Sequence, residues 1–145
     1  LGVNKFDNFA NEIKTSFEFN GPRAKMLGYL NSINLDKIMR RSSIIVIPSI
    51  WEEPFGLVAA EAMSNGTAII ASNVGGLSEV VGNCGILINE IDSIKITKEL
   101  KKLLNDSKIL KKYQKKSWDN FKLESKKVSK TLDNYRDTFF RSCHD

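Results

Sequence analysis

Several residue types and patterns that mark specialised proteins are scarce or missing. The two cysteines, Cys84 and Cys143, form neither a disulfide framework nor the spacing of a metal site, which favours a reducing cytoplasm. No apolar run approaches the ~20 residues that span a membrane, and the first residues lack a signal-peptide pattern. With one histidine and no Asp-x-Asp pair, the chain offers no cluster fit for a divalent ion. Because it opens on Leu1, we expect a piece of a longer protein.

The composition is that of one ordinary globular domain. Of the 145 residues, 41% are hydrophobic and 27% charged, enough for a real core. The net charge of +5 comes mainly from lysines after residue 94, which we interpret as solvated helical faces. A weak peripheral attraction to anionic lipid at the inner face of a membrane is the alternative. No aromatic residues alternate with the lysines as stacking platforms, so we expect no nucleic-acid partner.

Apolar runs without polar alternation predict strands buried on both faces. The predicted strands are Lys25–Leu30, Ile44–Ile47, Thr67–Ala71 and Gly85–Ile88. Helical patterns separate them, which is typical of a parallel sheet covered by helices. The predicted fold class is therefore α/β, a Rossmann-like parallel sheet with helices on both faces and a helical C-terminal tail.

Helices are predicted from apolar residues that recur at spacings of three and four. They cover residues 3–17, a segment capped by Asn34, the stretch from Gly56 to Asn65, residues 77–81, 96–104, a segment capped by Asp106, and 128–139. Gly66 suits a left-handed position at the end of the third helix. We divide the chain into an incomplete Rossmann-like domain, residues 1–104, and C-terminal helices, residues 105–145, that pack on it and on a missing N-terminal domain.

Two carboxylates frame the junction between the strand Ile44–Ile47 and the next helix. Glu53 lies in the connecting loop, and Glu61 follows Leu57 by one helical turn on the same face. The helix is otherwise almost wholly apolar, so we expect it to be buried. An unpaired buried carboxylate is costly, and a polar ligand should therefore meet Glu61.

The backbone amides of Phe55, Gly56 and Leu57 are candidate phosphate donors. Ligands of open parallel sheets bind beyond the carboxyl ends of strands, where helix N-termini present free amides. A carboxylate such as Glu61 accepts hydrogen bonds from neutral donors, and the vicinal hydroxyls of a ribose fit. Glu53 could do the same for a second polyhydroxyl group. A phosphate between two sugars describes a nucleotide-sugar.

The motifs resemble those of the family 4 retaining glycosyltransferases. They are Pro48-Ser49, Glu53-Pro54-Phe55-Gly56-Leu57, Glu61-Ala62-Met63, Gly66, Gly75-Gly76-Leu77 and Glu79-Val80-Val81. The resemblance is to the donor-binding half of the two-domain glycosyltransferase-B fold, and it covers about residues 27–104 well.

The resemblance implies a role for each matching position. Glu61 would hold the ribose hydroxyls, and Glu53, the candidate catalytic residue, would lie against the transferred sugar. The backbone of Phe55, Gly56 and Leu57 would contact sugar and diphosphate, and a neighbouring loop of Gly75-Gly76 would line the cleft. Neither a metal nor another cofactor is implied.

The implied activity is transfer of a sugar from a nucleoside-diphosphate donor to an acceptor with retention, in polysaccharide or glycoconjugate synthesis. The acceptor would be a sugar, a lipid-linked molecule or another compound. The family's acceptor-binding N-terminal domain and its diphosphate-binding basic residue do not appear in the sequence, so we expect this chain alone to be inactive. The alternatives are a non-catalytic nucleotide-binding or assembly module and a fragment resembling a nucleotide-sugar epimerase.

Overall fold

The computed structural model describes residues 24–25 and 27–121. These residues form three strands and five helices in the following order: α1 Ser32–Arg41, β1 Ile44–Ile47, α2 Leu57–Ser64, β2 Ala68–Ser72, α3 Gly75–Val81, β3 Ile86–Ile88, α4 Ser93–Asn105 and α5 Ser107–Asn120. The chain divides into two compact units, Leu1–Asn34 and Leu35–Asp145. The predicted helices over residues 3–17 and 128–139 lie outside the described residues. The predicted domain boundary at residue 104 stays a prediction.

The three strands form one parallel sheet in the order β1-β2-β3. In the register, Ile45 pairs with Ile69 and Ile70 pairs with Ile86. Each connection between neighbouring strands contains a helix, as parallel pairing requires. The predicted α/β fold is confirmed.

Helices cover both faces of the sheet because its strands alternate between two apolar cores. Ile69 and Ala71 of β2 belong to the core beneath α2 and α3. Ile70 points to the opposite core, with Leu103 of α4 and the half-buried Tyr113 of α5. β2 is buried along its whole length, which explains why its sequence shows no polar alternation.

The predicted strand over residues 25–30 is wrong for the described part of that segment, which forms neither a helix nor a strand. Gly28 has a φ of 66°, a left-handed conformation that interrupts an extended chain. Leu27 and Tyr29 are also exposed, so the apolar residues here bury no strand face.

The helix boundaries follow local hydrogen bonds. The side chain of Asn31, not the predicted Asn34, caps α1 by accepting from the Asn34 amide at 2.9 Å. α3 begins at Gly75, two residues before the predicted start. Asp106 caps α5 as predicted, and its carboxylate accepts from the amides of Lys108 and Ile109.

α5 crosses the edge of the sheet at which the strands begin. Gln114 Nε2 donates to the carbonyl of Ser43, just before β1, at 3.2 Å. Lys116 Nζ donates to the carbonyl of Asn83, before β3, at 3.0 Å. Gly66, just before β2, lies beside Trp118. α5 therefore marks the amino-terminal edge of the sheet.

None of the helices within residues 27–121 has the length and apolar character needed to cross a membrane.

Candidate functional site

The loops that follow the three parallel strands meet at the carboxyl edge of the sheet. The loop of residues 48–56 follows β1, Asn73 follows β2, and Asn89 follows β3. Asn73 Nδ2 donates to Asn89 Oδ1 at 2.7 Å, which ties the last two loops together. The edge lies opposite α5, and it is where open α/β sheets bind ligands.

Backbone-to-backbone contact holds the loop of residues 48–56 against the start of α3. The Gly76 amide donates to the Glu53 carbonyl at 2.6 Å. A Cβ at Gly76 would lie 2.7 Å from the Pro54 carbonyl oxygen, and one at Gly75 would lie 2.7 Å from the Glu53 carbonyl oxygen. A Cβ at Gly56 would in turn lie 2.9 Å from the Gly76 carbonyl oxygen. The three glycines allow two backbone segments to touch where any side chain would separate them.

The structure thus brings Gly75 and Gly76 next to Glu53 and Gly56, as neighbours at this edge. The pair forms the first turn of α3 and not the predicted free loop. Its visible role is to support the Glu53 loop, and its predicted contact with substrate stays a prediction.

α2 begins at Gly56, which has a left-handed conformation with φ 58° and ψ 36°. Among the described residues no side chain caps the helix, and its first turn contains no acidic residue. Gly56 accepts from the amides of Ala59 and Ala60, whereas those of Leu57 and Val58 come too early in the helix for an intrahelical partner. An open helix start with free amides favours an anion by both hydrogen bonding and the helix dipole.

Glu53 is half-buried in the supported loop. Ser49 Oγ, four residues earlier, donates to Glu53 Oε1 and fixes the direction of the carboxylate. The backbone of Glu53 is fixed as well, through its carbonyl bond with Gly76. Sequence reasoning quoted Ser49 as part of a motif but missed its bond to Glu53, which the spacing of four alone does not reveal.

Glu61 is exposed, so the expectation of a buried helix holds for its alanines and Met63 but is wrong for the face that carries Glu61. α2 packs its alanines and Met63 against the sheet and turns Leu57, Val58 and Glu61 away from it. Leu57 is 61% exposed. Within the described residues no hydrogen bond or ion pair reaches the Glu61 carboxylate; its backbone carbonyl accepts from Ser64 and Asn65. Because Glu61 is not buried, it does not need a polar ligand to offset a cost of burial. Its exposed carboxylate is nevertheless accessible to a ligand.

Several exposed apolar side chains lie near the two glutamates along the chain. They are Ile50, Trp51, Phe55, Leu57 and Val58. Several large apolar side chains in one short stretch are a sign of a contact surface. The sequence showed their identities but not that they face solvent.

The acidic, histidine and cysteine side chains of the described residues do not cluster as metal ligands would. Among residues 24–25 and 27–121, no group of three or more histidine, cysteine, aspartate or glutamate side chains could hold a metal ion. Cys84 is buried, and its thiol donates to Asn83 Oδ1 at 3.5 Å.

Comparison with known protein families gives a match over the region that contains the candidate site. The family model of glycosyl transferases group 1 matches residues 9–118, about three quarters of the chain. This chain belongs to the group 1 glycosyltransferases. The match includes the Glu53 loop, α2 and the double glycine at the start of α3, the elements that build the candidate site.

Two relatives of this chain show how much of a longer protein it spans. An uncharacterized glycosyltransferase of Methanocaldococcus jannaschii is 36% identical over 115 residues, which are 72% of this chain and 29% of that protein. A glycogen synthase of Mycobacterium tuberculosis is 36% identical over 84 residues, 57% of this chain and 20% of that protein. The chain thus spans less than a third of the length of these two relatives.

A solved domain shares the architecture of this group 1 glycosyltransferase chain. It is the C-terminal domain of a glycosyl transferase group 1 family protein, LpcC, from Francisella tularensis. The TM-score is 0.69 at 27% identity, and the match covers 83% of this chain and 67% of that domain. The predicted likeness to the C-terminal half of the glycosyltransferase-B fold is confirmed.

Proposed function

We propose that this chain is the donor-binding domain of a retaining glycosyltransferase and binds a nucleoside-diphosphate sugar. The observation that carries the proposal is the open start of α2 at Gly56, where free amides lie between Glu53 and Glu61 along the chain. The membership in the group 1 glycosyltransferases supports it.

The diphosphate, the ribose and the transferred sugar of the donor each have a matching group. The amides of Leu57 and Val58 bind the diphosphate, since they are uncapped and lie at the positive end of the helix dipole. Glu61, exposed one turn later, accepts hydrogen bonds from the ribose hydroxyls. Glu53 contacts the transferred sugar, with its carboxylate held by Ser49.

The chemistry of transfer follows from the same positions. The bond between the anomeric carbon and the diphosphate oxygen breaks as a bond to the acceptor oxygen forms on the same face of the sugar, and the proton of the acceptor hydroxyl passes to the departing diphosphate. Negative charge grows on the leaving diphosphate, and the α2 amides stabilise it because they are fixed before the reaction begins. The Gly56–Gly76 contact keeps this helix start and the Glu53 loop in a constant relative position.

The binding part of the proposal is tested by calorimetric titration of the chain with UDP, GDP, ADP and CDP. We expect one of them to bind. The variant Glu61→Ala should weaken that binding by about 1–3 kcal/mol through loss of hydrogen bonds to a charged group. Asp119→Ala is the matched control, because it removes the same charge from α5 at the opposite edge. Equal affinity of Glu61→Ala and the unaltered chain would contradict the ribose assignment.

The transfer part needs the chain joined to the remaining domain of its enzyme. With the nucleoside-diphosphate sugars of the nucleotide that binds, we expect transfer of the sugar to an acceptor. NMR of the product should show that the anomeric configuration of the donor is retained. Nucleotide binding without turnover would instead favour a non-catalytic module, and epimerised donor without transfer would favour the epimerase alternative.

A further inference from the structure

The positive charge of the chain resides in α4 and α5. Residues 93–120 contain nine lysines and three acidic residues, a net charge of +6. The other 117 residues contain 13 basic and 14 acidic residues, a net charge of −1. The two helices are therefore strongly basic on a nearly neutral domain.

Most of these lysines have no carboxylate partner within the part of the chain that the structure describes. Among the described residues, carboxylates pair with Lys95, Lys102 and Lys115. Five exposed lysines of the two helices have no acidic partner within residues 27–121: Lys98, Lys101, Lys108, Lys111 and Lys112. We call these five the basic surface. Their charge is available to an external anion.

Exposed apolar side chains accompany the lysines. On α4, Ile94 and Leu104 are 80% and 65% exposed, and Ile94 lines one surface concavity with Lys98 and Lys101. On α5, Trp118 is 63% exposed and follows Lys111 by seven residues, two helical turns, on the same face. Basic residues next to exposed apolar and aromatic ones are typical of helices that lie at a membrane interface.

We propose that the basic surface binds the anionic headgroups of a phospholipid bilayer. A lysine is a compact point charge on an apolar stem, which suits a diffuse anionic surface. The two helices contain no arginine, the side chain whose planar fork recognises single phosphates and base edges. Ile94, Leu104 and Trp118 are stabilised by the headgroup boundary, which a nucleic-acid backbone does not provide.

The position of α5 keeps such binding compatible with the candidate site. α5 lies along the amino edge of the sheet, bonded to the carbonyls of Ser43 and Asn83. The Glu53 loop lies at the carboxyl edge. A bilayer that contacts α5 therefore leaves the site loop accessible; of the apolar residues named above, only Ile94, at the start of α4 after β3, lies toward the carboxyl edge.

The proposal is tested by cosedimentation of the chain with phosphatidylcholine vesicles, with and without phosphatidylglycerol. Binding should need phosphatidylglycerol and should weaken as the Debye length falls to about 8 Å at physiological salt. The triple variant K108Q/K111Q/K112Q should bind roughly 100-fold more weakly at low salt, at about five-fold for each lysine. The matched variant K108R/K111R/K112R keeps the charge and should bind like the unaltered chain.

A second variant and a fluorescence measurement distinguish a loss of membrane binding from misfolding of the first variant. K98Q/K101Q on α4 should weaken binding by roughly 25-fold on the same scale. In a W51F background Trp118 is the single tryptophan, and its emission should shift to shorter wavelength on anionic vesicles. In a W118F background the emission of Trp51, at the opposite edge, should not change.

Four results would overturn the proposal: equal binding to pure phosphatidylcholine, equal losses in the arginine and glutamine variants, a vesicle-induced shift of Trp51 instead of Trp118, or tighter binding of duplex RNA than of vesicles with the same lysine dependence. The last result would assign the surface to nucleic acid.

Discussion

Gly76→Ala isolates the contact on which the candidate site is built. The new Cβ would lie 2.7 Å from the Pro54 carbonyl oxygen and 2.8 Å from the Phe55 nitrogen, where ordinary van der Waals contact begins at 3.4 Å. Both neighbours are backbone atoms, so no side chain can turn aside to relieve the overlap. Gly76 does not have positive φ, and the substitution therefore introduces no backbone strain of its own.

The magnitude follows from opposing contributions. Overpacking of a close contact costs about 1–3 kcal/mol. Separation of the segments also loses the Gly76–Glu53 hydrogen bond, a further ~1 kcal/mol. Alanine instead of glycine in the first turn of α3 returns up to about 1 kcal/mol of helix propensity. We expect the free energy of unfolding to fall by about 1–3 kcal/mol, a decrease in Tm of about 3–9 °C for a chain of this size.

Urea unfolding followed by circular dichroism measures the loss, and Trp51 emission in a W118F background reports the loop. Gly82→Ala is the control: its Cβ meets only the Glu79 carbonyl oxygen, at 3.9 Å, but its φ of 46° makes alanine strained. Gly82→Ala should destabilise α3 without changing Trp51 emission or nucleotide affinity, whereas Gly76→Ala should change both. A Gly76→Ala chain as stable as the unaltered one, with unchanged Trp51 emission, would refute the reasoning.

Two further predictions concern the caps of the C-terminal helices. Asp106→Ala should lower the free energy of unfolding by about 1 kcal/mol, because the amides of Lys108 and Ile109 lose their acceptor; an unchanged urea midpoint would contradict it. The hydrogen bond from the Lys95 amide lowers the pKa of Asp92 below its usual 3.8. The ionised carboxylate therefore stabilises the fold at pH values above 3.8, and this stabilisation is lost as the pH falls through the lowered pKa. Asp92→Asn keeps a capping oxygen without the charge, and its Tm should therefore decrease less than that of the unaltered chain between about pH 5 and pH 2. Parallel decreases in both proteins would rule out this role of Asp92.

The strands of the sheet were predictable because strands buried on both faces consist almost entirely of apolar residues. Ile44–Ile47 and the run around Ile69 are apolar without alternation, since both faces of each strand are covered. The segment over residues 25–30 also contains several apolar residues, yet Gly28 takes a left-handed conformation there. Composition records how apolar a segment is but not whether a neighbouring strand pairs with it.

The candidate site was predictable in its residues but not in its environment. The positions of Glu53 and Glu61 follow from the motif, whereas the exposure of Glu61 depends on which face α2 turns to the sheet. The alanines of α2 permit that face to pack closely, and apolar character alone did not distinguish it from the face of Leu57 and Val58.

The sequence by itself determined the order of strands and helices, the family of the chain and the acidic and glycine residues of its site, because these depend on local propensity, apolar spacing and motif. Only the tertiary structure decided that Gly56, Gly75 and Gly76 join two backbone segments at one edge of the sheet, and that α5 closes the other edge. Both features are contacts between residues distant along the chain. Such contacts depend on how the segments pack, and a residue's type does not specify which backbone will approach it.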